Sequence, residues 1–459
     1  MSAANKLALL SEKLQTIDKA SPARARLTKL FDENTFVEID ALAKAGENAA
    51  AVVTGYGSVD GSTVFAFSQD SSVASGALGK VHAAKIKKVY ELAAKTGAPV
   101  VGVYDSKGAD LTNPYDTMAA YGELLALSNN LSGVVPQVSL VLGICAGSAA
   151  LIASGADFIV MSGDGEFFLT APAASEACSA KNAAETGVAH VVAKDADGAI
   201  AAARKIISML PLNNLAEAPI WDFAEAEGAA AALQAAGEKL DGVEAAEIVK
   251  NIADAGSVTE LQASFGKKAY AALATIGGQA VGILGAAGSL GKDECAKLAR
   301  IVSICDAFSI PVVTLINTEG FEGSVRDTAM LAHVYAEATT PKVSVVLGKA
   351  YGSAYIALAG KGANADMAYA WPGAVISPLK PETAVAFLYN DRITAEKSRQ
   401  AVEAEYQETE ASAFAYAECG LVDAVIDPSA TRAVVLSALD MLSGKRVSSL
   451  PKKHGNLPL

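Results

Sequence analysis

The chain has 459 residues, 51% of them hydrophobic and 19% charged, with a formal net charge of −13. The length predicts two large domains rather than one core, the apolar content excludes a disordered chain, and the acidic balance argues against nucleic acid as a partner. Five cysteines (Cys145, Cys178, Cys295, Cys305 and Cys419) without CxxC spacing read as free thiols of a reducing cytoplasm and offer no zinc site.

Residues 1–20 form a charged amphipathic stretch without the apolar run of a signal peptide. A basic amphipathic helix is predicted over 23–30, a turn at 31–34 and a strand over 35–39. Strands over 51–59 and 64–68 flank Asp60-Gly61, a hairpin signal. A helix rich in Lys and Ala over 79–96 closes at Gly97. A buried strand over 99–104 ends in Asp105-Ser106-Lys107-Gly108, and a helix over 118–131 follows. Then comes the stretch 136–149: an apolar run opened by Pro136, a tight turn, and Gly147-Ser148-Ala149 starting a small-residue helix. It lies within 24 uncharged residues, 133–156, long enough to cross a bilayer. Pro136 and four glycines in that window predict strand, turn and helix instead.

The stretch recurs. Nine of the 14 positions of 136–149 are identical at 341–354, at a constant offset of 205. The surrounding order recurs too: a strand over 257–261, a hairpin strand over 277–284, a helix over 292–309 and a strand over 311–316. Ala156-Asp157 and Ala365-Asp366 each open a further strand, and the halves close on glycine turns at Gly187 and Gly420. Landmarks that keep their order, at offsets of 205 to 233, mark an internal duplication of one domain. The predicted fold is α/β, each half with sheet stacked on sheet and ringed by helices. The stretch 216–236, rich in Ala and Glu, is the predicted connector, giving an N-terminal domain over 1–236 and a C-terminal domain over 237–459. An acidic helix over 395–417, a helix over 431–442 and a basic tail complete the chain. Where a strand feeds a helix N-terminus, several backbone N–H groups lack partners. The two turns can therefore make two corners that bind anions or oxyanions.

Specific runs carry a family resemblance. They are Val53-Thr54-Gly55-Tyr56-Gly57; Leu78-Gly79, His82 and Lys85-Ile86 at their spacing; Leu210-Pro211-Leu212-Asn213-Asn214; Cys305-Asp306-Ala307-Phe308-Ser309; Tyr335-Ala336-Glu337-Ala338-Thr339; Lys349-Ala350-Tyr351-Gly352-Ser353-Ala354-Tyr355; and the terminal run from Pro451 to Leu459. Over nearly its whole length the sequence resembles the biotin-dependent acyl-CoA carboxyltransferases. These are the β-type subunits of propionyl-CoA and acetyl-CoA carboxylases, and the related methylmalonyl-CoA decarboxylase subunits. The resemblance implies two tandem crotonase-like domains, the first on the acyl-CoA side and the second on the biotin side. It implies carboxyl transfer between carboxybiotin on a carrier protein and a short-chain acyl-CoA, a coenzyme A thioester. This chain lacks the Ala-Met-Lys-Met biotinylation signature, so biotin arrives on a partner. The implied partners are a biotin carboxyl carrier protein, a biotin carboxylase or the membrane subunit of a sodium-pumping decarboxylase, and further copies of the chain, as a cytoplasmic hexamer built as a trimer of dimers.

Such a transfer passes through two enolate-like oxyanions, each needing preorganised N–H donors in a dry site. By the resemblance, Gly147 and Ser148 hold the thioester oxyanion, while Ser353 and Ala354 hold the one on biotin. Gly108, Ala146, Tyr351 and Gly352 line the substrates, and Ile356 lines an apolar acyl pocket. The released biotin anion can take the α-proton, so neither a side-chain base nor a metal is implied. The sequence departs from the family pattern at Lys107 and Asp110, at Glu319 before Gly320-Phe321, in the Gly-Ser of both turns, and in shortened loops before 326 and between 172 and 187. These departures motivate a second reading, a catalytically weakened scaffold paralogue. A hydrolase using Cys145 or Ser148 lacks a Gly-x-Ser-x-Gly elbow. His82 and His190 read as capping or packing groups, and His333 as an interface or core histidine. Asp105 has no second carboxylate at ligand spacing. Lys85, Lys87 and Lys88 read either as contacts to coenzyme A phosphates or as a solvated helix face.

Overall fold

The structure, a computed structural model, describes residues 3–15, 17, 19–171, 175–239, 244–323, 325–362, 365–448 and 451–458. The chain divides into two units, Met1–Glu217 and Ala218–Leu459. The expected 236/237 boundary falls inside the second unit, because Leu233 and Ala236 are buried in that unit's core.

In the first unit, α1 (Ala3–Gln15) and α2 (Pro22–Leu30) precede β1 (Val37–Ile39), the small hairpin of β2 (Lys44–Ala45) and β3 (Asn48–Ala49), and the long hairpin of β4 (Val52–Val59) and β5 (Ser62–Gln69). Asp60 and Gly61 both take positive φ, 47° and 80°, as a two-residue primed turn requires. Next come α3 (Lys80–Thr96), capped by left-handed Gly97, and β6 (Val100–Ser106). α4 (Pro114–Asn130) starts earlier than the expected 118, with Pro114 as its first residue. β7 (Gln137–Ala146), α5 (Ser148–Ser154), β8 (Phe158–Ser162), β9 (Glu166–Phe168), α6 (Ala180–Glu185), β10 (Val191–Ala193) and α7 (Ala196–Met209) complete the unit. The sheet order is β1-β4-β5-β6-β7-β8-β10, antiparallel as far as β5 and parallel beyond. α3, α4 and α5 close over a core that includes Val52, Phe67, Ile86, Tyr90, Leu124 and Met161. α2 and α7 pack against each other and the sheet. Every residue of β6 is buried, as a strand covered on both faces must be.

The second unit repeats the plan. Its elements are α8 (Ala229–Lys239), α9 (Ala245–Ile252), β11 (Thr259–Glu260), β12 (Ala269–Ile276), β13 (Gln279–Leu290), α10 (Lys292–Ala307), β14 (Val312–Phe321), α11 (Val325–Glu337), β15 (Lys342–Tyr351), α12 (Ser353–Ala359), β16 (Met367–Ala370), β17 (Val375–Ser377), α13 (Pro381–Leu388), α14 (Arg399–Glu408), α15 (Ala413–Glu418), β18 (Ala424–Val425) and α16 (Thr431–Leu442). The sheet order β11-β12-β13-β14-β15-β16-β18 matches the first, strand for strand and sense for sense. The expected acidic helix over 395–417 is two helices. Ser412 caps a new start by accepting the Ala415 N–H at 3.2 Å.

Sheet stacked on sheet is not what each unit contains. One strand forks instead. β7 pairs with β8 through Val141 and with β9 from Ile144 to Ala146. β15 pairs with β16 through Val346 and with β17 from Lys349 to Tyr351. Gly143 and Gly348 stand at the forks. A β-carbon there would lie 2.1 Å from Asp105 Oδ1 and 2.5 Å from Asn317 Oδ1. The duplication also preserves a polar lock that the sequence reading missed. Arg204 Nη2 meets Asp32 at 2.8 Å, and Asp32 accepts the N–H groups of Asp60 and Gly61 at the hairpin turn. Arg432 Nη2 meets Asp254 at 2.6 Å, and Asp254 accepts the N–H groups of Gly277 and Gly278. Among the described residues no helix is long and apolar enough to cross a membrane, and the uncharged window 133–156 resolves into β7 and α5.

Candidate active site

Each unit builds one corner at the C-terminal ends of its parallel strands, where open α/β sheets bind ligands. In the first unit β6 loses register with β7 between Tyr104 and Ser106, leaving Asp105 at the break. Ser106 Oγ then accepts the N–H of Gly108 at 3.1 Å, and Gly108 takes φ 116°. β7 ends at Ala146, and Gly147 follows with φ 64° and ψ −135°, a conformation open only to glycine. Gly108 and Ala146 are neighbours: a β-carbon on Gly108 would stand 3.9 Å from the Ala146 carbonyl. The second unit copies each step. β14 and β15 lose register between Ile316 and Thr318, with Asn317 at the break. Thr318 Oγ1 accepts the Gly320 N–H at 3.2 Å, and Gly320 takes φ 123°. Tyr351 ends β15, and Gly352 follows at φ 55°, ψ −128°.

The donors differ in part from expectation. The N–H of Gly147 is already committed, donating to Phe168 O at 2.9 Å, and that of Gly352 donates to Ser377 O at 2.8 Å. These bonds tie each turn to β9 or β17. Among the described residues no acceptor reaches the N–H groups of Ser148 and Ala149, or of Ser353 and Ala354. Gly147 therefore shapes the first corner, and the N–H groups it leaves without an acceptor are those of Ser148 and Ala149. In the second corner the N–H groups without an acceptor are those of Ser353 and Ala354. The replacement of a double glycine by Gly-Ser does no harm to the backbone, because positive φ falls on Gly147 and Gly352 and not on the serines. Ile356 is 61% exposed, and its counterpart Leu151 is 48% exposed, so neither belongs to a core.

Charge distinguishes the corners. Asp105 is buried, paired with Arg26 at 2.8 Å and receiving the Ser71 hydroxyl at 2.7 Å. Asn317, its counterpart, is neutral and accepts the Lys349 N–H at 2.9 Å. Lys107 is exposed. Its counterpart Glu319 lies between Lys380 (2.9 Å) and Lys349 (3.0 Å), which hold its carboxyl below the usual range. Asp110 is turned back onto Thr112, whose hydroxyl and N–H lower its pKa.

The hydrolase reading finds no support. Burial pushes the Cys145 thiol far above its ordinary pKa, so it is no thiolate. Burial also drives His82 down to about 3, and its Nδ1 faces Ala77 O at 3.2 Å. His190 Nδ1 accepts the Ile159 N–H, and His333 pairs with Glu337 at 2.8 Å. The lysine cluster disperses: Lys85 is buried on Val52 O, while Lys87 and Lys88 meet Glu123 and Asp40. A cavity of about 590 Å³ in the first unit is lined by Arg24, Glu38, Asp70 and Lys85, among others, and by no corner residue. Among the described residues no three His, Cys, Asp or Glu side chains gather as metal ligands.

The sequence and the fold of the two units are matched in known proteins. The carboxyl transferase domain family matches residues 20–457. The chain belongs to this family. It is 36% identical to the methylmalonyl-CoA decarboxylase subunit alpha of Veillonella parvula, over 95% of this chain and 93% of that protein. It is also 36% identical to the propionyl-CoA carboxylase beta chain of Saccharopolyspora erythraea, over 95% and 90%. The transcarboxylase 12S structure, a hexamer solved with methylmalonyl-coenzyme A and methylmalonic acid, superposes with a TM-score of 0.92 at 32% identity, covering 100% of this chain and 99% of that one. This carboxyltransferase is thus a biotin-dependent acyl-CoA enzyme of two tandem crotonase-like domains. The sequence reading weighed Asp105 only as a metal ligand and Gly320 only as part of a departing loop, and it did not name Asn317. Asp105-Ser106-Lys107-Gly108 and Asn317-Thr318-Glu319-Gly320 align at an offset of 212, but only as similar side-chain chemistry.

Proposed function

We propose that this chain transfers a carboxyl group between biotin on a separate carrier protein and a short-chain acyl-CoA, with the propionyl-CoA and methylmalonyl-CoA pair as substrates. The observation that carries this reading is the duplicated corner: two sites in one chain, each with two unpaired backbone N–H groups aimed from a glycine-shaped turn. Carrier-borne biotin supplies the carboxyl group. Ser148 and Ala149 donate to the thioester oxygen as the acyl α-carbon gains enolate character, and Gly108 and Ala146 flank it. Ser353 and Ala354 donate to the ureido oxygen, flanked by Tyr351 and Gly352. Preorganised donors of this kind each contribute on the order of 3 kcal/mol to the transition state. The names of the two relatives at 36% identity and of the 12S neighbour support the methylmalonyl and propionyl pair.

The two corners act on one substrate pair when copies of the chain meet. Exposed apolar side chains on the segments of each corner support such a face: Leu111, Tyr115, Met118, Leu151 and Leu169 in the first unit, and Val325, Ile356, Phe387, Leu388 and Phe414 in the second. A 46.7 kDa monomer by light scattering at micromolar concentration would count against the shared site. The decarboxylase relative at equal identity favours a second reading of direction, decarboxylation coupled to a membrane partner. The primary test is methylmalonyl-CoA decarboxylation with free biotin added. Turnover supports the enzyme in either direction. Its absence in folded protein, with malonyl-CoA also inert, supports the scaffold reading that Lys107 and Asp110 motivate.

A further inference from the structure

The two corners are built on the same backbone, but the group wedged into the register break differs. The second corner uses neutral Asn317, whose Oδ1 takes the Lys349 N–H. The first uses Asp105, a buried carboxylate packed against Gly143, four residues before Gly147 on the same strand and continuing turn. It is also three residues before Gly108. A buried carboxylate on the strand pair that leads into a site for a developing oxyanion opposes that oxyanion unless a cation compensates it. Arg26 of α2 is that cation, with Nη2 at 2.8 Å from Oδ2 and its side chain mostly shielded from water. In the second corner the neutral amide of Asn317 calls for no such cation.

We propose that Arg26 is a positioning residue of the first corner, neutralising Asp105 so that a carboxylate can hold the register break without opposing the thioester oxyanion. This rests on the corner assignment above. The effect belongs to the charged transition state and not to the neutral thioester, so it falls on kcat rather than on KM.

The test uses the full chain with methylmalonyl-CoA and free biotin, each variant checked by thermal melting. Arg26→Met should lower kcat at least tenfold with KM for the acyl-CoA within twofold, and Arg26→Lys should keep more than half of the lost rate. Arg26→Met combined with Asp105→Asn, which copies the second corner, should recover at least fivefold over Arg26→Met alone. A kcat unchanged in folded Arg26→Met overturns the proposal, as does a loss that Asp105→Asn fails to relieve, since Arg26 then acts through packing or its own substrate contact. Gly147→Val run in parallel separates the two levels. If its kcat falls about 100-fold or more while Arg26→Met is normal, only the compensation is wrong. If it is fully active, the corner assignment itself falls and the proposal with it.

Discussion

Gly147→Ala isolates what the turn contributes. A β-carbon at 147 would meet nothing closer than Leu169 O at 4.0 Å, so bulk is not the obstacle. The obstacle is the backbone, because φ 64° with ψ −135° costs an L-residue about 1–3 kcal/mol. The protein can keep the turn and lose that much stability. Alternatively the turn can rotate, break the Gly147 bond to Phe168 O and swing the Ser148 and Ala149 N–H groups away. Losing one such donor costs about 10²- to 10³-fold in rate. The expected result is a lower urea midpoint together with a kcat down about 100-fold, KM changing far less, and Gly147→Val no worse than alanine by more than a few fold. Steady-state decarboxylation of methylmalonyl-CoA, read beside the urea titration, measures both. A folded Gly147→Ala enzyme within threefold of the parent would refute the argument that this turn aims the donors.

Ser148→Ala and Ser353→Ala should each keep more than a third of kcat, because the proposed donors are backbone groups. Covalent labelling of Ser148 and a dead alanine variant would instead revive a nucleophile there. Ile356→Asp should suppress or invert the kcat/KM order among acetyl-, propionyl- and butyryl-CoA, since a buried methylene is worth roughly 0.8 kcal/mol; unchanged ratios would remove Ile356 from the acyl pocket. At Asp32, burial pushes the carboxyl up, but the Gly61 N–H, Arg204 and the Asp60 N–H outweigh it and bring it from 3.8 to about 2. A depressed carboxyl contributes stability above its unfolded value and loses it as pH falls through the folded one. Asp32→Asn should therefore cost about 1 kcal/mol at pH 7, with the gap to the parent closing between about pH 4 and pH 2; a gap that is constant over that range would show that charge plays no part.

The duplication was legible because identical residues carry it: Pro136 and Pro341, Gly143 and Gly348, Gly147 and Gly352. The hairpin at Asp60-Gly61 and the cap at Gly97 were legible because only a few residue types accept positive φ. The forked strands were not. A side chain at a register break stands beside each fork, and Asp105 and Asn317 share neither charge nor identity. Nor could the sequence show that Gly147 spends its N–H on Phe168 O, because that bond depends on β9 returning beside the end of β7. The same blindness made the stretch 395–417 one helix, since its apolar spacing says nothing of whether Ser412 caps a new start.

The pattern of divergence between the halves follows from where the chemistry sits. A backbone N–H survives almost any change of its own side chain, provided that the glycine before it stays. The halves have accordingly kept Gly147 and Gly352, Gly108 and Gly320, and the hydroxyls of Ser106 and Thr318 that hold those second glycines. What they have not kept is charge. Ile144 faces Lys349 across the duplication, Lys107 faces Glu319, and the Arg26 and Asp105 pair faces neutral Asn317. On the assignment proposed above, two oxyanions of similar shape, one on a thioester and one on a ureido ring, call for the same donors in different electrostatic surroundings. Under that proposal, retaining the turn while changing the charged groups around it lets one duplicated fold serve both, and specificity lies in the side chains around the corners rather than in the corners themselves.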